Sequence, residues 1–225
     1  FGEHNHHAAL ELILKNPLAL PIKTYKEFET DTLNTITNTL SRFGKDEGAG
    51  VQILVRPTDN KWHKTLDYAI KNLREGGSIT TKKKIDTRKI ITSTVELGSE
   101  IVRSVNAPTE GEGKQKEEPK GPTPIGEQQI KLITEKMGVV GFETVIRIVV
   151  SSPDVASAKA HMASIISAFS TFNHPAGNAF VMHKKKPAEE VVRDFIFRAF
   201  PYSAEKNILN TEELASIFHF PNRNT

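Results

Sequence analysis

The chain has 225 residues, enough for one large domain or two small ones, and its 37% hydrophobic and 25% charged content is that of a globular protein and not of a collagen, a mucin or a wholly disordered chain. With 30 Lys and Arg against 27 Asp and Glu the formal net charge is +3, which permits nucleic-acid binding without demanding it. Cysteine is absent, so disulfides, thiolate zinc sites and thiol nucleophiles are excluded, and no apolar run approaches the roughly 20 residues of a membrane span.

In chain order, "AALELILK" (8–15) predicts a strand. Leu33, Ile36, Leu40 and Phe43 then share one face of a helix behind a Thr30/Asp31 cap. "GVQILVRPTD" alternates Val51, Ile53 and Val55 against Gln52 and Arg56, so the three valine and isoleucine side chains are expected to face a core and Arg56 to stand on the exposed face. Trp62, Leu66, Ala69, Ile70 and Leu73 form the stripe of the next helix.

Residues 76–124 read as an insertion. Its first part has helical spacing at Ile90, Leu97 and Ile101 but many β-branched residues, which suggests a loosely docked element. Its second part, "NAPTEGEGKQKEEPKGPTP" (106–124), has no large apolar residue and cannot offset its ordering entropy, so a flexible linker is expected there.

Beyond it, Ile130, Ile133 and Met137 give a helix, and "VIRIVVSSPD" alternates Ile146, Ile148 and Val150 against Arg147. Ser152 and Pro153 open a helix carrying Val155, Met162, Ile165, Ile166, Phe169 and Phe172. "NAFVMH" (178–183) predicts a further strand. The chain closes on a helix from Asn210, with Glu213 three residues on in capping-box position and Leu214, Ile217 and Phe218 on one face.

The strand and the start of the following helix recur at a shift of 95 residues, Asp59 matching Asp154. The expected fold is therefore α+β, with two ferredoxin-like units of helix, strand and helix packed together and a disordered insertion between them. The corresponding division is a first unit at 1–75, the insertion and linker at 76–124, a second unit at 125–206 and the terminal helix at 207–225.

Catalytic chemistry is not legible. His4, His6 and His7 in "EHNHH" are suitable metal ligands by type, but the segment is terminal and lacks a spaced carboxylate motif. "FGKDEGAG" (43–50) has no Ser or Thr after its lysine and reads as a turn, not a phosphate loop. A G-x-S-x-G nucleophile motif is absent. No catalytic, cofactor-binding or metal residue is expected. Two basic runs, Lys82, Lys83, Lys84 and Lys184, Lys185, Lys186, are the candidates for contact with nucleic acid or an anionic membrane, although solvated loop charge is the default for both.

Several stretches carry a family likeness: "LPIKTYKEFETD" (20–31), "VQILVRP" with Trp62 shortly after, "GFETVIRIVV" (141–150), "AFSTFN" with "NAF" (168–180) and "LNTEELASIFHFP" (209–221). Together they resemble the region ahead of the motor domain in patescibacterial type IV secretion or conjugation-type ATPases, members of the HerA/FtsK-like group. The resemblance spans nearly all of the chain outside about 76–123 and implies a non-catalytic N-terminal assembly and docking module at the inner face of the cell membrane. It implies as partners a C-terminal ATPase domain of the same protein, membrane secretion components and a hexamer in the full-length protein, and it allows DNA. The start at Phe1 and the stop beyond the last helix lead to the expectation of a piece cut from a longer protein, with Leu214, Ile217 and Phe218 docking towards the motor. The alternative from the residues alone is a ferredoxin-like nucleic-acid-binding domain, motivated by the lysine runs and by Arg56 and Arg147 on strand faces read as exposed.

Overall fold

The computed structural model describes residues 5–16, 19–29, 31–59, 61–79, 121–201 and 207–219. Strand β1 (His6–Leu14) leads through a 3-10 turn (Tyr25–Glu27) to helix α1 (Leu33–Leu40), strand β2 (Gly48–Pro57) and helix α2 (Lys61–Arg74). Helix α3 (Pro124–Met137), strand β3 (Gly141–Ser152), helix α4 (Val155–Phe169) and a second 3-10 turn (Ser170–Phe172) follow. The order ends with β4 (Phe180–Met182), α5 (Ala188–Ile196), β5 (Asn207–Asn210) and α6 (Thr211–Ile217). The expected insertion lies outside the described residues from 80 to 120. The linker expected to reach 124 ends earlier, because Thr123 accepts a hydrogen bond from the Gly126 N–H and Pro124 opens α3, where its fixed φ suits a first turn.

β3 organises an antiparallel sheet. One edge pairs with β2 from Gly48↔Ser151 to Pro57↔Phe142. The other is shared end to end by β1, from His6↔Ser152 to Leu12↔Ile146, and β5, from Gly141↔Asn210 to Thr144↔Asn207. β4 pairs with the far side of β1, giving the order β2-β3-β1-β4. With α1 between β1 and β2, and α4 between β3 and β4, this is the split β-α-β ferredoxin-like arrangement. The chain is thus α+β, and the two similar strands recognised in the sequence are neighbours in one sheet. Each has an apolar face and a row of unpaired backbone groups, and pairing with the other satisfies those groups. α1 packs on α4 and α2 on α3, so the helix before one repeated strand meets the helix after the other.

The larger core lies under α1 and α4. Ile146, Ile148 and Val150 are fully buried against Ile36, Met162, Ile165 and Phe169. Phe180 meets Phe169 and Phe172 edge to face and those two rings are tilted to each other, with ring centroids 5.7 to 6.4 Å apart. Val51 and Ile53 pack at its rim. Val55, expected in the core, is 45% exposed, because it stands on the outermost strand opposite polar Thr144. A second core joins α2 to α3 through Trp62, Leu66, Ala69, Leu73 and Ile133 and is closed by Leu20 and Ile208. Gly141 permits this junction: a Cβ there would fall 2.7 Å from the Trp62 ring.

Candidate functional site

The face of the sheet opposite α1 and α4 carries charge. Arg147, expected on an exposed strand face, is fully buried, because α5 lies across β1 and β3 at this point. Its Nε donates to Glu11 Oε2 at 3.2 Å and its Nη1 to Gln52 Oε1 at 3.1 Å. Nη1 and Nη2 donate to the carbonyls of Asp194 and Ala199 at 3.1 and 2.6 Å. Lys186 Nζ joins Glu11 at 2.8 Å and Asp194 at 2.9 Å.

Arg147, Lys186, Glu11 and Asp194 therefore form a neutral cluster of two cations and two carboxylates, with its donors fanned over matched acceptors. Burial pulls the Lys186 ammonium down, and the hydrogen bonds to Glu11 and Asp194 outweigh it, so its pKa is raised. Burial pushes the Asp194 carboxyl up, yet the Lys186 hydrogen bond and the nearby charges hold it below the usual carboxylate range. The cluster holds α5 against the sheet.

A groove of about 790 Å³ runs along β2 beside this helix. β2 is the last strand in the order, so its outer edge faces the groove. Val51, Gln52, Ile53, Leu54 and Val55 form the floor, Phe195, Ile196 and Arg198 one bank, and Leu214, Ala215 and Phe218 of α6 and its C-cap the other. Phe195 lies directly over Gly50, where a Cβ would meet its ring at 2.8 Å, and its carbonyl accepts from Gln52 Nε2. Ile196 is 60% and Phe218 60% exposed. Such an apolar surface, beside a strand edge that no described residue pairs with, suits an extended protein segment.

α6, the opposite bank, is fastened by charge more than the sequence reading expected. Its capping box is present, with Asn210 accepting from the Glu213 N–H and Glu213 accepting from the Asn210 N–H. The Glu213 carboxylate also accepts from the Ile22 N–H and meets Lys136 Nζ at 3.0 Å, with both side chains fully buried. Lys136 donates further to the Ile208 carbonyl at 2.8 Å.

The residues singled out in the sequence do not converge. Ile217 is buried in the larger core and Leu214 packs at its margin, but Phe218 turns outward: the helix ends at Ile217, and Phe218 takes an extended backbone with φ −153° and ψ 125° that breaks the helical stripe. Lys184 and Lys185 are exposed, Lys186 belongs to the buried cluster, and Lys82, Lys83 and Lys84 lie outside the described residues. Arg56 pairs with Glu143 and covers the Phe200 ring at 4.1 Å from its centroid. His6 and His7 open β1, and His4 lies outside the described residues. Among the described residues no group of three or more His, Asp and Glu stands close enough to hold a metal ion, and no helix is long and apolar enough to cross a membrane.

What sequence reasoning missed is α5. Pro187 ahead of Glu189 and Glu190, with Val191, Val192 and Phe195 behind, is a legible helix start and stripe. No curated protein and no solved structure matches the chain. A family model described as "Domain of unknown function (DUF8128)" matches residues 1–225, and the chain belongs to that family.

Proposed function

We propose that the chain is a non-catalytic assembly and docking module, working beside the ATPase core and membrane components of a type IV secretion or DNA-transfer machine at the inner face of the cell membrane. The observation that carries this reading is the apolar groove along the outer edge of β2, built between two elements that buried ion pairs hold in place. The buried charged groups are paired with one another, Arg147 and Lys186 with Glu11 and Asp194, and Lys136 with Glu213, which favours a binding role over a catalytic one. The type of machine comes from the resemblance of residues 20–31, 141–150 and 209–221. The nucleic-acid alternative loses support, because Arg147 and Lys186 are engaged inside the fold.

Titration of the isotope-labelled chain with the separately purified ATPase core of such a secretion protein tests the reading. Amide shifts confined to β2, the end of α5 and α6 are expected; an unchanged spectrum at saturating core would overturn the assignment to that machine. Anisotropy with labelled DNA is the counter-test. Sub-micromolar binding that weakens steeply with salt would favour the nucleic-acid alternative.

A further inference from the structure

We infer that the groove takes an extended segment of a partner protein, added as a further strand to the outer edge of β2, with an acidic side chain of that segment held by Arg198. The inference deepens the docking reading above and rests on it, but it does not need the partner to be an ATPase.

An edge strand turns every second N–H and C=O away from its sheet, and these groups are a ready template for another strand. The five floor residues Val51 to Val55 span about 17 Å at roughly 3.4 Å per residue, the length of an ordinary strand. A strand laid there points its side chains alternately to the two faces of the sheet. On one face they meet Leu214 and Phe218, and on the other Phe195 and Ile196. The banks thus ask for an apolar, alternating segment.

Charge decides which segment. Among the described residues lining the groove, Arg198 alone is charged. Its backbone is also the one positive-φ conformation found at a described residue other than glycine, at φ 49°. It ends α5 in a Schellman arrangement, its own N–H donating to the Phe195 carbonyl and the Ala199 N–H to that of Asp194. Glycine is the residue this position favours, since a Cβ is strained there. A strained backbone that holds an exposed guanidinium at the groove points to a use for the side chain. Arginine grips a carboxylate through paired N–H donors.

A second copy of the chain is the weaker occupant. If β2 paired with β2 of another molecule, the strand it brought would carry no carboxylate, its one charged side chain being Arg56. An acidic segment complements the groove, whereas β2 itself does not.

The test uses a blocked peptide of alternating valine and threonine long enough to span β2, with one central glutamate, beside counterparts carrying glutamine or lysine there. The glutamate peptide should bind about tenfold more tightly than the lysine peptide, as one charge-assisted pair allows. Arg198→Glu should reverse that order. Arg198→Gly should erase it while raising Tm, which separates a binding role from a structural one. N-methylation of the peptide amides that face β2 should abolish binding.

Equal binding of the glutamate and lysine peptides overturns the inference, as does undiminished binding of the methylated peptide. No binding at concentrations of about a millimolar, or concentration-dependent self-association that protects β2, overturns it too. If the ATPase core shifts the groove residues and the peptides show no charge preference, the docking reading stands and this inference falls. If the glutamate peptide binds selectively and the core does not bind, the reverse holds.

Discussion

On one face of β3, Ile146, Ile148 and Val150 meet α1 and α4 through apolar contacts, whereas on the other Arg147 reaches Glu11, Gln52 and the carbonyls at the end of α5 through directional bonds. The first face supplies stability, because burial is favourable whatever the detailed geometry. The second adds less net stability, since desolvating four charges offsets much of their attraction. What it does specify is position: α5 must lie where all the donors find acceptors. The groove bank formed by Phe195, Ile196 and Arg198 inherits that position. A docking surface needs its walls fixed more than it needs them stable.

The largest effect should come from charging the apolar face. Ile148 is fully buried with no partner for a carboxylate nearby in its cluster, so Ile148→Asp should cost about 4 kcal/mol or more and leave little folded protein in a urea titration. A variant that melts with the parent would sink the core assignment of β3.

Breaking the charged face comes next. Arg147→Met leaves Lys186 as the one buried cation at Glu11 and Asp194, with the largely exposed Arg193 beside Asp194, an imbalance worth about 3 kcal/mol. Adding Glu11→Met restores neutrality, leaving Lys186 with Asp194 at 2.9 Å. The double variant should therefore be more stable than the sum of the single losses predicts, and a double-mutant cycle reads the difference. Strict additivity would mean that the four groups do not act as a unit.

Solution pH probes the same contrast more gently. Asp194 has its folded pKa depressed, so its contribution is present above the ordinary 3.8 and is lost as pH falls through the lower folded value. Lys186 has its folded pKa raised, so its contribution is complete below 10.5 and is lost as pH rises through the higher folded value. The acid limb is shared with Asp31, Asp154 and Glu47, all held below their ordinary values. The alkaline limb is shared with Lys26, whose pKa its hydrogen bond to Glu212 raises, and the Lys186 substitution isolates the cluster's part of it. Lys186→Met should flatten the fall in urea midpoint above pH 10.5; an unchanged alkaline slope would show that the cluster contributes nothing there.

The apolar face was legible in the sequence and the charged face was not, for one reason. Alternation at Ile146, Ile148 and Val150 identifies a buried side of β3 from adjacent residues alone. It says nothing of whether the other side is later covered, and the cover for Arg147 is α5, some 40 residues downstream. A period of two with Arg147 in the polar phase reads as exposed for that reason. Lys186 was hidden similarly, because in "KKK" only contact with Glu11 distinguishes it from its exposed neighbours. β5 was hidden by the cap that follows it: Asn207 to Asn210 were absorbed into the start of α6, whose capping box was read correctly. The groove needs three segments brought together, and no local pattern announces it.

The smallest predicted effect separates how the two faces hold their helices. α4, on the apolar face, begins at Asp154, whose carboxylate accepts from the Ser157 N–H at 2.8 Å and from its hydroxyl at 2.7 Å. α5, on the charged face, begins at Pro187 with no side-chain cap at all. Asp154→Ala strands an N–H of the first turn and removes an anion from the positive end of the helix, so it should lower the urea midpoint slightly. Pro187→Ala removes no hydrogen bond and merely frees the unfolded chain, a loss of about 0.5 kcal/mol. Hydrogen exchange then locates each effect: Asp154→Ala should speed exchange across the first turn of α4, while Pro187→Ala should leave the α5 amides protected relative to global unfolding. If α5 frays in the proline variant as α4 does in the aspartate variant, the cluster does not secure the helix start, and the bank of the groove is held by its C-terminal contacts alone.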